Sequence, residues 1–348
     1  MAVGKFMMSN IAMLMSHRVS AKEVAKIIDK LDIKPSDNLE IIPHDEVKIA
    51  AAQVQIKKYQ SLGDYIIDMN CYVSDAVNKR SHLVCFPAFS GLLPLGFISQ
   101  FSNMLPELQM RGNDIPSHER IAECLSYFSD IVFEAFYNTM SILAARHRVY
   151  IMAGSTLYLD KKEPKHRAFL FNGNGELVGA QDKLLPNQLE SALKIEAASE
   201  LLAFNTPFGS VSMLIGSDVE RFEPARVAKS LGANIILNPT VIRGSYTPMD
   251  AAGGLNLRVQ ENSLYGVQST MVGDTGIGAV LETPCAVFGP NELLRTRMKN
   301  GLIEQSSGRN EPDVLCIKLD LDVIENIRNS YLHDKNPDLL NRYIDRLY

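Results

Sequence analysis

Cysteine is scarce in this chain and unpaired by pattern. The five residues, Cys71, Cys85, Cys124, Cys285 and Cys316, are odd in number, scattered, and form no Cys-x-x-Cys or Cys/His spacing. That argues against structural zinc and for a reducing compartment. Long hydrophobic runs are missing as well. Nothing approaches the ~18 uninterrupted apolar residues of a spanning helix, and the Met-rich stretch from Phe6 to Met15 is broken by Ser9 and Asn10. Positive charge is not in surplus: 35 Lys and Arg stand against 40 Asp and Glu, a formal net charge of −5, so no chain-wide basic field exists to hold nucleic acid or an anionic membrane. There is no phosphate-binding glycine fingerprint, internal repeat or low-complexity stretch. The seven histidines, His17, His44, His82, His118, His147, His166 and His333, and the acidic residues show no metal-ligand spacing. The expectation is a soluble, cytoplasmic protein with no metal and no organic cofactor, whose partner is a small molecule rather than nucleic acid or a membrane.

What is present is the composition of a packed globular protein: 46% hydrophobic and 22% charged residues, with 22 Gly and 16 Pro. The 348 residues allow two domains at ~150 residues each or one large α/β layer structure. Residues 1–45 read as a helical extension and linker. Ser20 and Glu23 have capping-box spacing, Val24, Ile27, Ile28 and Leu31 trace one helical face, and Lys34-Pro35-Ser36-Asp37 breaks it. From Val47 onward strand and helix alternate. The run Val47 to Ile56 is β-rich, and Leu62, Tyr65, Ile66, Met69, Val73, Ala76 and Val77 form a helical stripe. A strand at His82 to Phe86 and a long helix at Ser117 to Arg146 follow, the latter carrying Ile121, Cys124, Leu125 and Phe128 inward, and then a strand at Tyr150 to Leu159. Strands around Ala168 to Phe171 and Leu177 to Gln181 flank Asn172-Gly173-Asn174-Gly175, a tight hairpin turn. The alternation then resumes through Ser210 to Ile215, Glu223 to Leu231, Ile235 to Leu237, Leu255 to Leu264, Tyr265 to Val272 and Asp313 to Leu319. Alternation on both sides of a central hairpin predicts two sheets with helices on their outer faces, a four-layer α-β-β-α sandwich over residues 46–331. Residues 332–348 form a tail.

The strand ends carry a collinear set of short motifs. They are Val47-Lys48-Ile49-Ala50-Ala51-Ala52-Gln53, Cys85-Phe86-Pro87, Asp182-Lys183, Ile215-Gly216-Ser217-Asp218, the run Leu231 to Pro239, and Arg258 with Glu261-Asn262. In this order the chain resembles the nitrilase, or carbon-nitrogen hydrolase, superfamily from about Val47 to about Tyr331. The resemblance implies attack by a cysteine thiolate on a nitrile or amide carbon, a glutamate as general base and acid, and a lysine that stabilises the anionic intermediate. Carried over residue by residue, it leaves the lysine as Lys183 and puts Ala88 where the family has its base glutamate. Gly216 stands where the family has its cysteine, and Glu190 matches a fourth family carboxylate.

Around these positions the chemistry leaves alternatives. Ser217 is a substitute nucleophile or a backbone N–H donor to an oxyanion. Strand alternation, however, would turn its side chain away from the lost cysteine's position, and no base stands at Ala88. Cys85 reads as a small buried hydrophobe, and Asp218 and Arg258 as structural braces. The expected function is a non-catalytic small-ligand-binding or regulatory homologue; the alternative is an active amidase-type hydrolase of small amides, nitriles or carbamoyl compounds using Ser217, or a water activated by Glu190 or Glu220. With two potentially negative groups gone and Lys183 kept, the pocket is expected to lean positive and to prefer a small carboxylate to an amide, with Glu190 holding Lys183. Its walls are expected from Ser90 to Ile115 and from Ile242 to Ala252. The resemblance also implies a homodimer or larger homo-oligomer formed through Glu223 to Leu231 and the tail, where Leu339, Leu340, Tyr343, Ile344 and Leu347 make an apolar stripe.

Overall fold

The computed structural model describes residues 16–36, 42–97, 118–242, 254–275, 280–294, 300–307 and 310–330. The tail stripe and most of the two expected wall loops lie outside these residues, as do the side chains of Ile121 and Cys124. The strands in chain order are β1 (Val47–Gln55), β2 (Leu83–Cys85), β3 (Tyr150–Asp160), β4 (Glu163–Phe171), β5 (Leu177–Asp182), β6 (Phe204–Thr206), β7 (Gly209–Met213), β8 (Ile235–Thr240), β9 (Tyr265–Asp274), β10 (Val280–Leu281), β11 (Ala286–Phe288), β12 (Leu302–Gln305) and β13 (Asp313–Leu319). The helices are α1 (Ala21–Ile28), α2 (Leu62–Asn78), α3 (His118–His147), α4 (Gln188–Ala192), α5 (Phe222–Ser230), α6 (Leu255–Asn262) and α7 (Leu321–Ser330).

Alternation along β1 sets the layers, because successive side chains on a strand point to opposite faces. Val47, Ile49 and Ala51 join a cluster that also holds Leu83, Met152 and Leu170 from β2, β3 and β4, and Met213, Leu237 and Val267 from β7, β8 and β9. Ala50, Ala52 and Val54 face the other way, onto Tyr65, Met69 and Val73 of α2 and Phe136 and Met140 of α3. On the far side Leu214 and Ile236 pack against Ala225 of α5 and Leu255 and Val259 of α6. The order is therefore helices, sheet, sheet, helices, the expected four-layer α-β-β-α sandwich.

One sheet runs β5-β4-β3-β2-β1-β13 and the other β6-β7-β8-β9-β11-β12, with β10 on β9. They meet where the end of β1 pairs in parallel with β9, Val54 opposite Met271 and Gln55 opposite Val272. Strands β10, β11 and β12, of two to four residues, are not anticipated from the sequence, since runs so short show no periodicity.

Local signals act in most places. The Ser61 hydroxyl accepts the Asp64 N–H at the start of α2. In the central hairpin Asn172 Oδ1 accepts the N–H groups of Asn174 and Glu176, and Gly175 supplies a φ of +79°. The expected capping box of α1 does not form: the Ser20 hydroxyl donates to the His17 carbonyl, and Glu23 binds Lys26. Helix α1 is held instead by packing, Val24 and Ile28 entering the cluster of α2 and α3, and by an ion pair from Asp29 to Arg146. Among the described residues no helix is long and apolar enough to cross a membrane.

Candidate functional site

The site lies where the turn after β2, the ends of β4 and β5, and the turn after β7 come together, beside a cavity of about 700 Å³. Lys183 follows β5 directly. Its N–H donates to the His166 carbonyl and so extends the ladder with β4 by one step, which sends the side chain across to the other sheet. There Nζ donates to the Ile215 carbonyl at 2.5 Å and to Ser217 Oγ at 2.9 Å, and lies 3.3 Å from Asp218 Oδ1. Lys183 is 2% exposed and Asp218 0%.

Asp218 does more than meet this charge. Its carboxylate accepts the N–H groups of Ile215 (2.9 Å), Leu185 (2.8 Å) and Leu184 (3.4 Å), tying the turn after β7 to the segment after β5. Lys183 is therefore neutralised by Asp218 and not held by Glu190, which corrects the expectation of a positive pocket. Residues Gly216–Glu220 form a 3-10 turn, so strand alternation does not apply at Ser217. Its hydroxyl faces Lys183, where it was expected to point away. Gly216 has a φ of +50°, and a Cβ added to it would meet only Lys183 Nζ, at 3.8 Å. Asn238 of β8 braces this turn, Nδ2 donating to the carbonyls of Leu214 (2.6 Å) and Gly216 (3.2 Å).

Glu190 stands in the first turn of α4. A capping box with Asn187 fixes its backbone: Asn187 Oδ1 accepts the Glu190 N–H, and Glu190 Oε2 accepts the Asn187 N–H at 2.7 Å. The other oxygen, Oε1, lies 2.5 Å from His166 Nδ1. His166 Nε2 is 2.7 Å from Ser155 Oγ, which accepts the Phe89 N–H at 3.2 Å. The Phe89 ring stacks on the imidazole at 4.7 Å between centroids. Burial pulls the His166 pKa below its ordinary value against the opposing influence of Glu190. Burial works against the Glu190 carboxylate too, but the His166 hydrogen bond, Lys183 and the Asn187 N–H outweigh it and hold its pKa below the ordinary value.

Ala88, Lys183, Glu190, Gly216 and Ser217 all line the cavity, as does the exposed Glu220. Ala88 is 1% exposed and offers only its methyl group. Cys85 and Arg258 are not in the wall. Cys85 is wholly buried and its thiol is pushed up in pKa by burial, and Arg258 pairs with Glu261 on α6. No group of three or more His, Cys, Asp and Glu able to hold a metal occurs among the described residues. Sequence reasoning missed His166, Ser155 and Asn238. A signal existed for His166: it shares a strand face with Ala168 and Leu170, which point between the sheets, and a histidine on an inward face needs a partner.

The carbon-nitrogen hydrolase family model matches residues 48–294. A probable hydrolase of Bacillus subtilis, YhcX, is 24% identical over 302 residues, covering 84% of this chain and 54% of that protein. The chain thus spans about half the length of that relative. A probable nitrilase of Schizosaccharomyces pombe is 25% identical over 235 residues, 64% of this chain and 80% of that one. Among solved structures, an amidase from Nesterenkonia sp. superposes with a TM-score of 0.62 at 18% identity, covering 85% of this chain and 100% of that one. A variant of the same amidase, in complex with butyramide, gives a TM-score of 0.61 at the same identity and coverage. At this identity the likeness to the solved structures is one of fold.

Proposed function

Because the chain belongs to the carbon-nitrogen hydrolase family, we propose that it is a member that has given up hydrolysis and binds a small polar molecule without breaking it. One observation carries the reading. At the two positions where the family's base and nucleophile would stand, the cavity receives a methyl group from Ala88 and a hydrogen from Gly216, while Lys183 beside them is engaged by Ile215, Ser217 and Asp218. Nucleophile and base act as a unit, so the absence of both removes orders of magnitude of rate. Since Asp218 already meets the Lys183 charge, the cavity favours an amide over the small carboxylate that a bare lysine would draw.

A second reading, an active amidase with Ser217 as nucleophile, is favoured by the 2.9 Å contact between Ser217 Oγ and Lys183 Nζ. In that contact Nζ donates to the oxygen, whereas attack needs a group that takes the serine proton. The first reading is therefore preferred.

The test is incubation of the full chain with amides, nitriles and carbamoyl compounds, following ammonia release, beside thermal-shift titration with the same panel. The expected outcome is no release above that of Lys183→Ala, with a melting temperature raised by at least one amide. Turnover abolished by Ser217→Ala would establish the second reading instead. The proposal includes a cytoplasmic homodimer or larger homo-oligomer. Support for the assembly comes from Phe222, Val227 and Leu231 at α5 and Leu257 on the adjoining α6, which are 42%, 43%, 48% and 38% exposed.

A further inference from the structure

The hydrogen bonds around His166 fix its charge. The Phe89 N–H donates to Ser155 Oγ, so the serine oxygen has accepted one bond and has one proton left to give. The near acceptor is His166 Nε2 at 2.7 Å, which must then be unprotonated, and the imidazole proton sits on Nδ1, directed at Glu190 Oε1. A doubly protonated imidazole would leave the serine with two incoming bonds and no acceptor in this chain of contacts. Every donor and acceptor is matched when His166 is neutral and Glu190 is ionised. Ser155, His166 and Glu190 are all at most 2% exposed.

The charges then do not cancel. Among the described residues Lys183, Asp218 and Glu190 are the buried charged side chains of the site, and two carboxylates against one ammonium leave one negative charge in excess. Glu220 and Arg221, the other charged residues in the described wall, are exposed and of opposite sign. A buried carboxylate without a cation is costly, and proteins pair it. Here Glu190 and Lys183 both line the cavity. Resting on the reading of this site as a non-covalent small-molecule site, we infer that its ligand carries a protonated amine and that Glu190 is the counter-ion. The Ser155–His166 chain delivers a directed N–H to Oε1 and so keeps the carboxylate oriented, while Lys183 and Asp218 satisfy one another and leave Glu190 as the anchor.

The test uses calorimetric titration of the full chain with three compounds of similar size: 4-aminobutanamide, its isostere pentanamide, in which a methyl group replaces the ammonium, and 5-amino-5-oxopentanoate, in which a carboxylate stands at that end. The ammonium compound is expected to bind at least tenfold more tightly than pentanamide, and the carboxylate more weakly than either. Glu190→Gln should bring the first ratio close to one. Should that variant fail to fold, the wild-type comparison of the two isosteres decides alone. Equal or tighter binding of pentanamide or the carboxylate overturns the inference and leaves the binding function standing, as does a preference for the amine that survives in Glu190→Gln. No binding by any of the three at millimolar concentration, or ammonia released from them, overturns both.

Discussion

Placing a thiol at position 216 is the sharpest probe of the geometry. Gly216 has a φ of +50°, and an added Cβ would meet only Lys183 Nζ, at 3.8 Å. The cost of Gly216→Cys is therefore conformational and not steric, about 1–2 kcal/mol for a non-glycine residue in the left-handed region, or roughly 1–3 °C in melting temperature for a chain of this size. The electrostatic consequence has two opposing parts. With the sulfur about 4 Å from the ammonium and an effective dielectric of about 20, Lys183 favours the thiolate by about 4 kcal/mol. Asp218, 3.3 Å from that ammonium, opposes this, and a separation of about 6 Å from the sulfur would take back about 3 kcal/mol. The remainder, about 1 kcal/mol, puts the thiol just under one unit below its free value of about 8.5. Alkylation by iodoacetamide across pH, with the modified peptides identified by mass, measures this directly. Exposed Cys71 serves as the internal reference. Cys85 and Cys285 are silent because burial raises both thiols, Cys285 to about 12. The introduced thiol is expected to react at lower pH than Cys71 and to lose that advantage when Lys183→Met is added. A thiol no more reactive than Cys71, or one indifferent to Lys183→Met, would refute the placement of Lys183 beside position 216.

Three further outcomes follow from the same structure. Asp218→Asn removes a fully buried carboxylate that meets Lys183 and accepts three backbone N–H groups. It should destabilise the fold by about 3–5 kcal/mol in urea unfolding, and a loss under about 1 kcal/mol would show that the pair is not a brace. His147, 1% exposed and touching Asn70 at 2.7 Å, has its pKa pulled from 6.5 to about 4 by burial. The unfolded chain takes up this proton first, so its contribution is complete above pH 6.5 and falls as pH drops toward 4, by about 3 kcal/mol in all. Stability curves at stepped pH should show that slope, and His147→Phe should flatten it. Finally, Val227→Glu is expected to lower the mass seen by light scattering by at least half without unfolding the chain, while a wild-type monomer at micromolar concentration would contradict the proposed assembly.

Much of the molecule was legible in the sequence, for a local reason. The near-continuous apolar run of β1 (Val47–Gln55), buried on both faces, and the helical stripe of Leu62 to Val77 are each recognisable from their own residues. The hairpin at Asn172 to Gly175 is written in residues that tolerate its backbone. Alternation of such segments was enough for the four layers, and the collinear strand-end motifs were enough for the family. Lys183, Glu190, Ala88 and Gly216 could be singled out because the family resemblance carries over to those positions. The Asn187-to-Glu190 capping box was also within reach of local spacing.

What the sequence did not decide is which of these groups touch. Lys183 and Asp218 are 35 positions apart and Ser155 and Glu190 likewise, and no periodicity links residues on different strands or sheets. Tertiary structure gave Lys183 to Asp218 and Glu190 to His166, reversing the charge balance expected from residue loss alone. It also turned Ser217 toward Lys183, because a 3-10 turn, and not a strand, follows β7. Layer order follows from the pattern of apolar side chains along each segment, whereas the charge of the site is set by pairings that exist only once the two sheets are packed face to face.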